Sequence, residues 1–470
     1  MAQASPGDST SPPTPYIPPR PRPLWPIAAL MRTAWQREGN LLSLLPAAAY
    51  RKQITPLGYS RRSIVLINEP ALVKDVMTDP TGIYPKNDLM VGALEPLVGD
   101  SIFVSSGEQW RRQRAMIDPA FSHMRLNRAF GSMTAAVDDY EDHLDAQAKS
   151  GEAFSLDLAM SHLTADIICR TVFSTSLASQ VARDVFDAFE IFERSVAHVE
   201  LKALIFDPPF RPIPQHQPVL DACAEIRRHL GQLVDDHLEA GESAYNDIAS
   251  ACIAARDPES GCPFNRKELI DELGVMFLAG HETTASALTW LFFILSVRPE
   301  ILTRIRQEVE AVAGDGPISF EQARQLRYVR QVFQETLRLY PPITFIPRVA
   351  METVRIGDRR IKKGAMIMIS PWTTHRNQTL WPDPAVFDPD RFSREREKEI
   401  APGSYLPFGM GPRTCVGAGF ARLEACLIVA RLARRYDFET LNARGVRPVA
   451  RLTTRPVRQI RMKVRRRNAV

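Results

Sequence analysis

The sequence predicts a mainly α-helical fold with small β-sheets, and three observations carry that prediction. From about residue 127 to 310 apolar residues recur at helical spacing, as in Phe186, Phe189, Ile191 and Phe192 or Ile226, Leu230, Leu233 and Val234. Strand-like runs are short and flank that stretch, at 62–68, 353–356 and 365–369. The 470 residues are 45% apolar and 24% charged, ordinary globular usage that excludes a disordered, collagen-like or membrane-embedded chain.

In chain order, nine of the first 26 residues are proline, a composition that resists helix and sheet, so residues 1–26 read as a solvated tail. The β-branched run RSIVLIN at 62–68 reads as a strand, and Glu69-Pro70 followed by ALVKDVM as a helix opening. Four prolines within 207–214 interrupt the helical middle and mark a loop. A long apolar helix is expected from Asp271 to Val297. Its low-charge part, Ala285 to Val297, is 13 residues, against about 20 for a membrane-spanning helix, so it reads as buried core. An irregular run over 371–412 gives way to a helix near 418–435, and the basic end, 461–467, reads as a solvated tail. The formal net charge of +5 gives little support to a nucleic-acid role. Six cysteines without a C-x-x-C pair indicate neither a disulfide framework nor a zinc ribbon, and a reducing cytoplasm is the simplest setting.

One cysteine stands apart. In Phe408-Gly-Met-Gly-Pro-Arg-Thr-Cys-Val-Gly417 it sits among three glycines and a proline directly before a helix, where main-chain N–H groups and the helix dipole favour a thiolate. A thiolate is a strong iron ligand. The segment resembles the signature Phe-x-x-Gly-x-Arg-x-Cys-x-Gly of the cytochrome P450 family, matched at Phe408, Gly411, Arg413, Cys415 and Gly417. The resemblance runs in family order from Trp110 to Gly417 and covers roughly residues 40–465. It implies a single large triangular domain at 27–470, with Cys415 as the axial ligand of haem b.

Other segments fit the same family. Ala279-Gly-His-Glu-Thr-Thr284 places polar groups within an apolar helix; Ala279 and Thr283 share a face, with Gly280 opening space beside a hydroxyl. The segment is similar to the family's oxygen-activating motif, which implies that Thr283 hydrogen-bonds oxygen at the iron and Glu282 relays protons. Glu335 and Arg338 lie three apart on one apolar helix face, and the resemblance adds Arg391 as third member of a structural Glu-Arg-Arg network, with Asp390 where Glu is more usual. Haem also carries two carboxylates, which suit arginine forks and an indole N–H. Trp110 and Arg114, four apart on a helix, together with Arg413 and Arg348, resemble the family's partners for them, and Phe408 belongs to the same cofactor-binding set. His281 and His375 read as structural or polar-network groups.

The implied reaction is a monooxygenation: one oxygen atom from O2 enters a C–H bond of an apolar substrate. Ala279, Ile343, Phe345 and Thr453 are pocket-lining positions by family location, with Ile102 and Phe103 upstream. No flavin or nicotinamide module is seen, so electrons from NAD(P)H are expected through a ferredoxin or flavodoxin and its reductase, docking near Arg111, Arg112, Arg434 and Arg435. Alternatives on the same fold are a peroxide-driven peroxygenase or hydroperoxide isomerase and a non-catalytic haem sensor. A soluble, cytoplasmic monomer without a transmembrane anchor or nucleic-acid partner is expected.

Overall fold

The computed structural model describes residues 15–25, 28–29, 31–32, 40–57, 63–196, 215–241 and 244–467. The helices are α1 (Pro70–Thr78), α2 (Asp88–Val98), α3 (Gly107–Ile117), α4 (His123–Ser150), α5 (Leu156–Phe173), α6 (Gln180–Val196), α7 (Gln217–Ala240), α8 (Ile248–Ala254), α9 (Arg266–Val297), α10 (Pro299–Ala313), α11 (Phe320–Gln325), α12 (Arg327–Leu339), the single turn α13 (Pro371–Thr374) and α14 (Ala418–Arg435). The strands are β1 (Ile54–Leu57), β2 (Ile64–Ile67), β3 (Phe154–Ser155), β4 (Ile346–Val349), β5 (Val354–Ile356), β6 (Arg359–Ile361), β7 (Met366–Ile369), β8 (Tyr436–Thr440), β9 (Pro448–Ala450), β10 (Thr454–Pro456) and β11 (Arg461–Arg466). The largest sheet has the order β1-β2-β7-β4, with β2 and β7 parallel and the outer pairs antiparallel. Chains of this pattern are mostly helical, as the apolar spacing predicts.

Helix α9 is the axis of the core. It starts at Arg266, before the expected Asp271, because Asn265 and Glu268 form a capping box: Asn265 Oδ1 accepts Glu268 N–H at 2.9 Å and Glu268 Oε2 accepts Asn265 N–H at 2.8 Å. It ends where Pro299 opens α10. No single described helix is long and apolar enough to cross a membrane; the apolar half of α9 is covered by protein, with Trp290 stacked on Tyr340 at 4.0 Å. Gly280 lets α5 approach this helix closely, since a Cβ there would collide with Ile168. The space expected to open beside Thr283 is thus partly taken by Ile168.

Both chain ends depart from expectation. Within the proline-rich segment Tyr16 O accepts Phe387 N–H at 2.9 Å, Pro19 O accepts the Tyr340 hydroxyl at 2.8 Å and Leu24 O accepts Ala47 N–H at 3.1 Å. Proline keeps its carbonyl acceptor, so an extended strand of this composition can still dock; residues 1–14 lie outside the described residues. At the basic end, Arg461–Arg466 is not a tail but β11, antiparallel to β8, with Met462 and Val464 buried on one face and Arg461, Lys463 and Arg465 on the other. The loop expected at 207–214 and Arg62 lie outside the described residues.

Candidate functional site

Cys415 sits in the loop between a short turn at Gly411–Arg413 and α14, with its N–H on Phe408 O at 2.9 Å. Gly411 has φ 71°, and a Cβ there would press on Met77 O at 2.9 Å, so glycine is required for the loop to lie against α1. The loop and the middle of α9 line one cavity of about 350 Å³. Among its lining residues are Cys415, Phe408, Ala279, Gly280, Glu282, Thr283, Ile343, Phe345 and Thr453, together with Ile102 and Phe103. Ala279 is exposed within a helix otherwise buried around it because it faces this space. Burial pushes the Cys415 thiol up, opposed by the Gly417 N–H and the charges of Arg114 and Arg422. A bound metal cation would favour the thiolate form of such a sulfur.

A cluster of cations lines the same cavity. Arg413 stacks over Trp110 at 4.3 Å and donates to Ser105 O at 3.0 Å, while its buried Nη1 has no partner. Arg348 is buried, and its guanidinium reaches its neighbour Pro347 O, at 3.1 Å, and Met77 Sδ, with no other side-chain bond among the described residues. Lys86, which carries no motif and escapes sequence reading, lies over the Phe103 ring at 4.2 Å. Burial and mutual repulsion pull Lys86 well below the ordinary lysine range, and burial holds Arg348 and Arg413 at about 10. None of the three forms an ion pair among the described residues. Arg114 differs, being tied to Thr414 O at 2.7 Å and to Asp118 at 2.6 Å. Buried and half-buried cations without anions beside them call for an anionic guest. A cysteine and an unpaired cation cluster around one apolar cavity fit haem, whose iron takes a thiolate and whose two carboxylates take the cations.

The sequence as a whole has known relatives. It matches the family model Cytochrome P450 over residues 18–464. The chain belongs to the cytochrome P450 family. It is 31% identical over 429 residues to cyclooctatin synthase of Streptomyces melanosporofaciens, covering 90% of each chain. It is 30% identical over 396 residues to a cytokinin hydroxylase of Arabidopsis thaliana, covering 83% of this chain and 76% of the relative. The fold superposes on the cytochrome P450DA haem domain with a TM-score of 0.77 at 20% identity, over 96% of this chain and 97% of that one. The protein is accordingly a P450 oxidoreductase, and the family uses haem iron and O2.

In this P450 the Thr283 hydroxyl donates to Ala279 O at 2.7 Å, which commits its proton and leaves its oxygen as an acceptor. Glu282 is not free: Thr453 Oγ1 donates to it at 2.5 Å and Arg455 holds it by Nε at 2.9 Å and by Nη2. Arg455 lies two residues beyond Thr453, in Thr-Thr-Arg-Pro, and no motif marks it. A further acid was missed on α14: Glu424 is fully buried beside Thr284 with both oxygens lacking partners of good geometry, and burial pushes it up to about 8.

Away from the cavity, Glu335 Oε1 and Oε2 take Arg338 at 2.7 and 2.6 Å, and Arg391 Nε lies 3.5 Å from Glu335. Asp390 binds Arg304 through two bonds of 2.9 Å. His375 bridges Arg338 O and Leu406 N–H, and His281 Nδ1 meets Phe277 O; burial keeps both neutral, at about 3 and about 4, and neither lines the cavity. Of the expected docking arginines, Arg112 is paired with Glu268, Arg434 donates to Gly314 O and Gly316 O, and Arg435 is paired with Glu141 and Asp145, leaving Arg111 exposed.

Proposed function

We propose that this P450 is a haem-thiolate monooxygenase that inserts one oxygen atom from O2 into a C–H bond of an apolar organic molecule. The observation that carries the reading is the convergence of Cys415, Thr283 and the unpaired Lys86, Arg348 and Arg413 on one apolar cavity. Cys415 Sγ would ligate the iron, and Lys86, Arg348, Arg413 and Trp110 would hold the carboxylates, with Arg114 bracing the loop through Thr414 O. Haem, when bound, supplies the activation of O2 by two electrons and two protons.

The chain's own groups do the rest. Thr283 Oγ1, its proton spent on Ala279 O, accepts a hydrogen bond from a proton donor in the cavity and so fixes that donor beside α9. Glu282, next in sequence and facing the same cavity, receives and passes protons, with Thr453 and Arg455 fixing its carboxylate. Ile102, Phe103, Ala279, Ile343 and Phe345 exclude water and orient an apolar guest by shape. Electrons come from a separate acidic donor, a ferredoxin or flavodoxin with its reductase. The four arginines expected at its contact are mostly tied up, so we assign the contact to Arg422, exposed over Phe408 at 4.8 Å on the face that bears the cysteine loop. Reduction slowed several-fold by Arg422→Glu at low salt supports this; an unchanged rate refutes it. Six unpaired cysteines suit a reducing compartment.

The test supplies ferredoxin, its reductase and NADPH to the holoenzyme with a panel of terpenoids and fatty acids. Product must require O2, and Thr283→Ala must lower product per electron about tenfold or more while raising peroxide release. Unchanged coupling in Thr283→Ala overturns the role given to Thr283.

A further inference from the structure

Arg455 serves two acids. Besides Glu282 it faces Glu193 on α6, whose Oε1 lies 3.5 Å from Arg455 Nε, and Arg455 Nη2 also donates to Ser161 Oγ at 3.1 Å. The two carboxyls thus meet on one guanidinium, Glu193 at 3.5 Å and Glu282 in direct contact. Side-chain exposure rises in the order Glu282 at 1%, Arg455 at 8% and Glu193 at 19%, so Glu193 is the member of the cluster that reaches outward. Glu193 does not line the cavity, whereas Glu282 does.

We propose that Glu193 is the proton inlet for Glu282, a second carboxyl that takes protons from the solvent side of α6 and hands them inward across the shared Arg455. This rests on the relay role given to Glu282 above. Charge stoichiometry is the first argument. Two ionised carboxylates on one guanidinium leave a net charge of −1 in a nearly dry site, and a shared proton removes it. Among the described residues His281 also faces Glu193, and burial keeps it neutral at about 4, while Asp157 on α5 adds its charge at Arg455. Of the elements packed against α6, α9 brings Glu282 and His281 and β10 brings Arg455. From α5, His162 responds to Glu190 and Asp187, and on α7 His229 lies 3.8 Å from Asp184, so neither faces Glu193. Burial and Glu282 together push Glu193 up to about 7, the range in which a carboxyl both holds and releases a proton in water at neutral pH. The transfer is balanced: Glu193 gives its proton to the Glu282 carboxylate, the resulting Glu193 carboxylate is reprotonated by hydronium or a buffer acid from the solvent, and no electrons move.

The test uses the carbon monoxide complex of the reduced holoenzyme, which needs neither substrate nor electron partner. The infrared stretch of the bound CO reads the electric field in the cavity, and it is followed from pH 5.5 to 8.5. In the wild type it shifts with one titration centred near the Glu193 value. Glu193→Gln keeps the shape of the side chain and must lose that titration, Glu193→Asp must move its midpoint, and Glu282→Gln must lose it as well. If Glu282→Gln loses it and Glu193→Gln retains it, Glu282 acts alone and the inlet is refuted while the relay stands. If Glu193→Gln loses it and Glu282→Gln retains it, the route through Glu282 is refuted. A CO stretch that does not titrate in the wild type, or titrates alike in all variants, overturns both.

Discussion

Two buried clusters use the same residue types and differ in proportion. Around Glu335 one carboxylate meets two guanidiniums, and the other donors run to backbone oxygens: Arg338 to His375, Pro384 and Val386, Arg391 to Pro382 and Asp383. Around Arg455 two carboxylates meet one guanidinium. In the first cluster loss of the carboxylate charge would strand two buried cations, and its bonds tie α12 to the segment at 375–391. In the second a proton can come and go while the packing stays. Residue type is the same in the two; the count of charges, and the outward reach of Glu193, distinguish a clamp from a relay.

The largest effect is expected where the clamp is cut. Arg338→Ala should cost about 3–5 kcal/mol and release haem, read by urea unfolding and Soret absorbance; a variant that keeps both contradicts the clamp. The sharper comparison sets Glu335→Gln beside Glu282→Gln. The first should be as damaging as Arg338→Ala, and the second should cost only about 1 kcal/mol, since Glu193 still faces Arg455. Equal losses would erase the distinction.

Next in size is Lys86→Met, which keeps the apolar stem and removes the charge. Haem transfer to apomyoglobin should quicken about ten- to hundredfold, the worth of one charge-assisted hydrogen bond; an unchanged rate removes Lys86 from the carboxylate site. Glu424 extends the comparison to a buried acid with no arginine. Its folded pKa of about 8 lies above the ordinary carboxyl value, so the folded state holds a proton that the unfolded chain loses above about pH 4.5, and stability falls as pH rises from there to about 8. Glu424→Gln should flatten that slope and add about 1–3 kcal/mol at pH 8 with little change at pH 4.5. The same slope in both proteins would show that Glu424 is satisfied.

How much of this was legible depended on whether a residue's role is local. Cys415, Gly411 and Thr283 are fixed by backbone shape within a few residues, so their motifs announce them. The helix at 418–435 was readable to the residue because its start is set by the same loop. Lys86, Glu193 and Arg455 act through neighbours tens to hundreds of residues away, and no spacing encodes such contacts. The basic end was misread for a different reason: charge was weighed over the period-two alternation that puts Met462 and Val464 on the buried face of β11. The N-terminal segment was misread because proline content speaks against helix and sheet and says nothing of docking.

A pair of truncations tests that last point. Removing residues 1–14 should leave the melting temperature unchanged, whereas removing 1–24 also deletes the acceptors at Tyr16, Pro19 and Leu24 and should cost about 2–4 kcal/mol. Equal melting temperatures would return the segment to a tail.

The measurement that tests the central claim most directly is the carbon monoxide difference spectrum of the reduced, haem-loaded protein, taken beside Cys415→Ala. A strongly red-shifted Soret band in the wild type, absent from the variant, is the predicted result. The same band in both proteins, or an unshifted band in the wild type, would contradict thiolate ligation by Cys415 and with it the proposed monooxygenase.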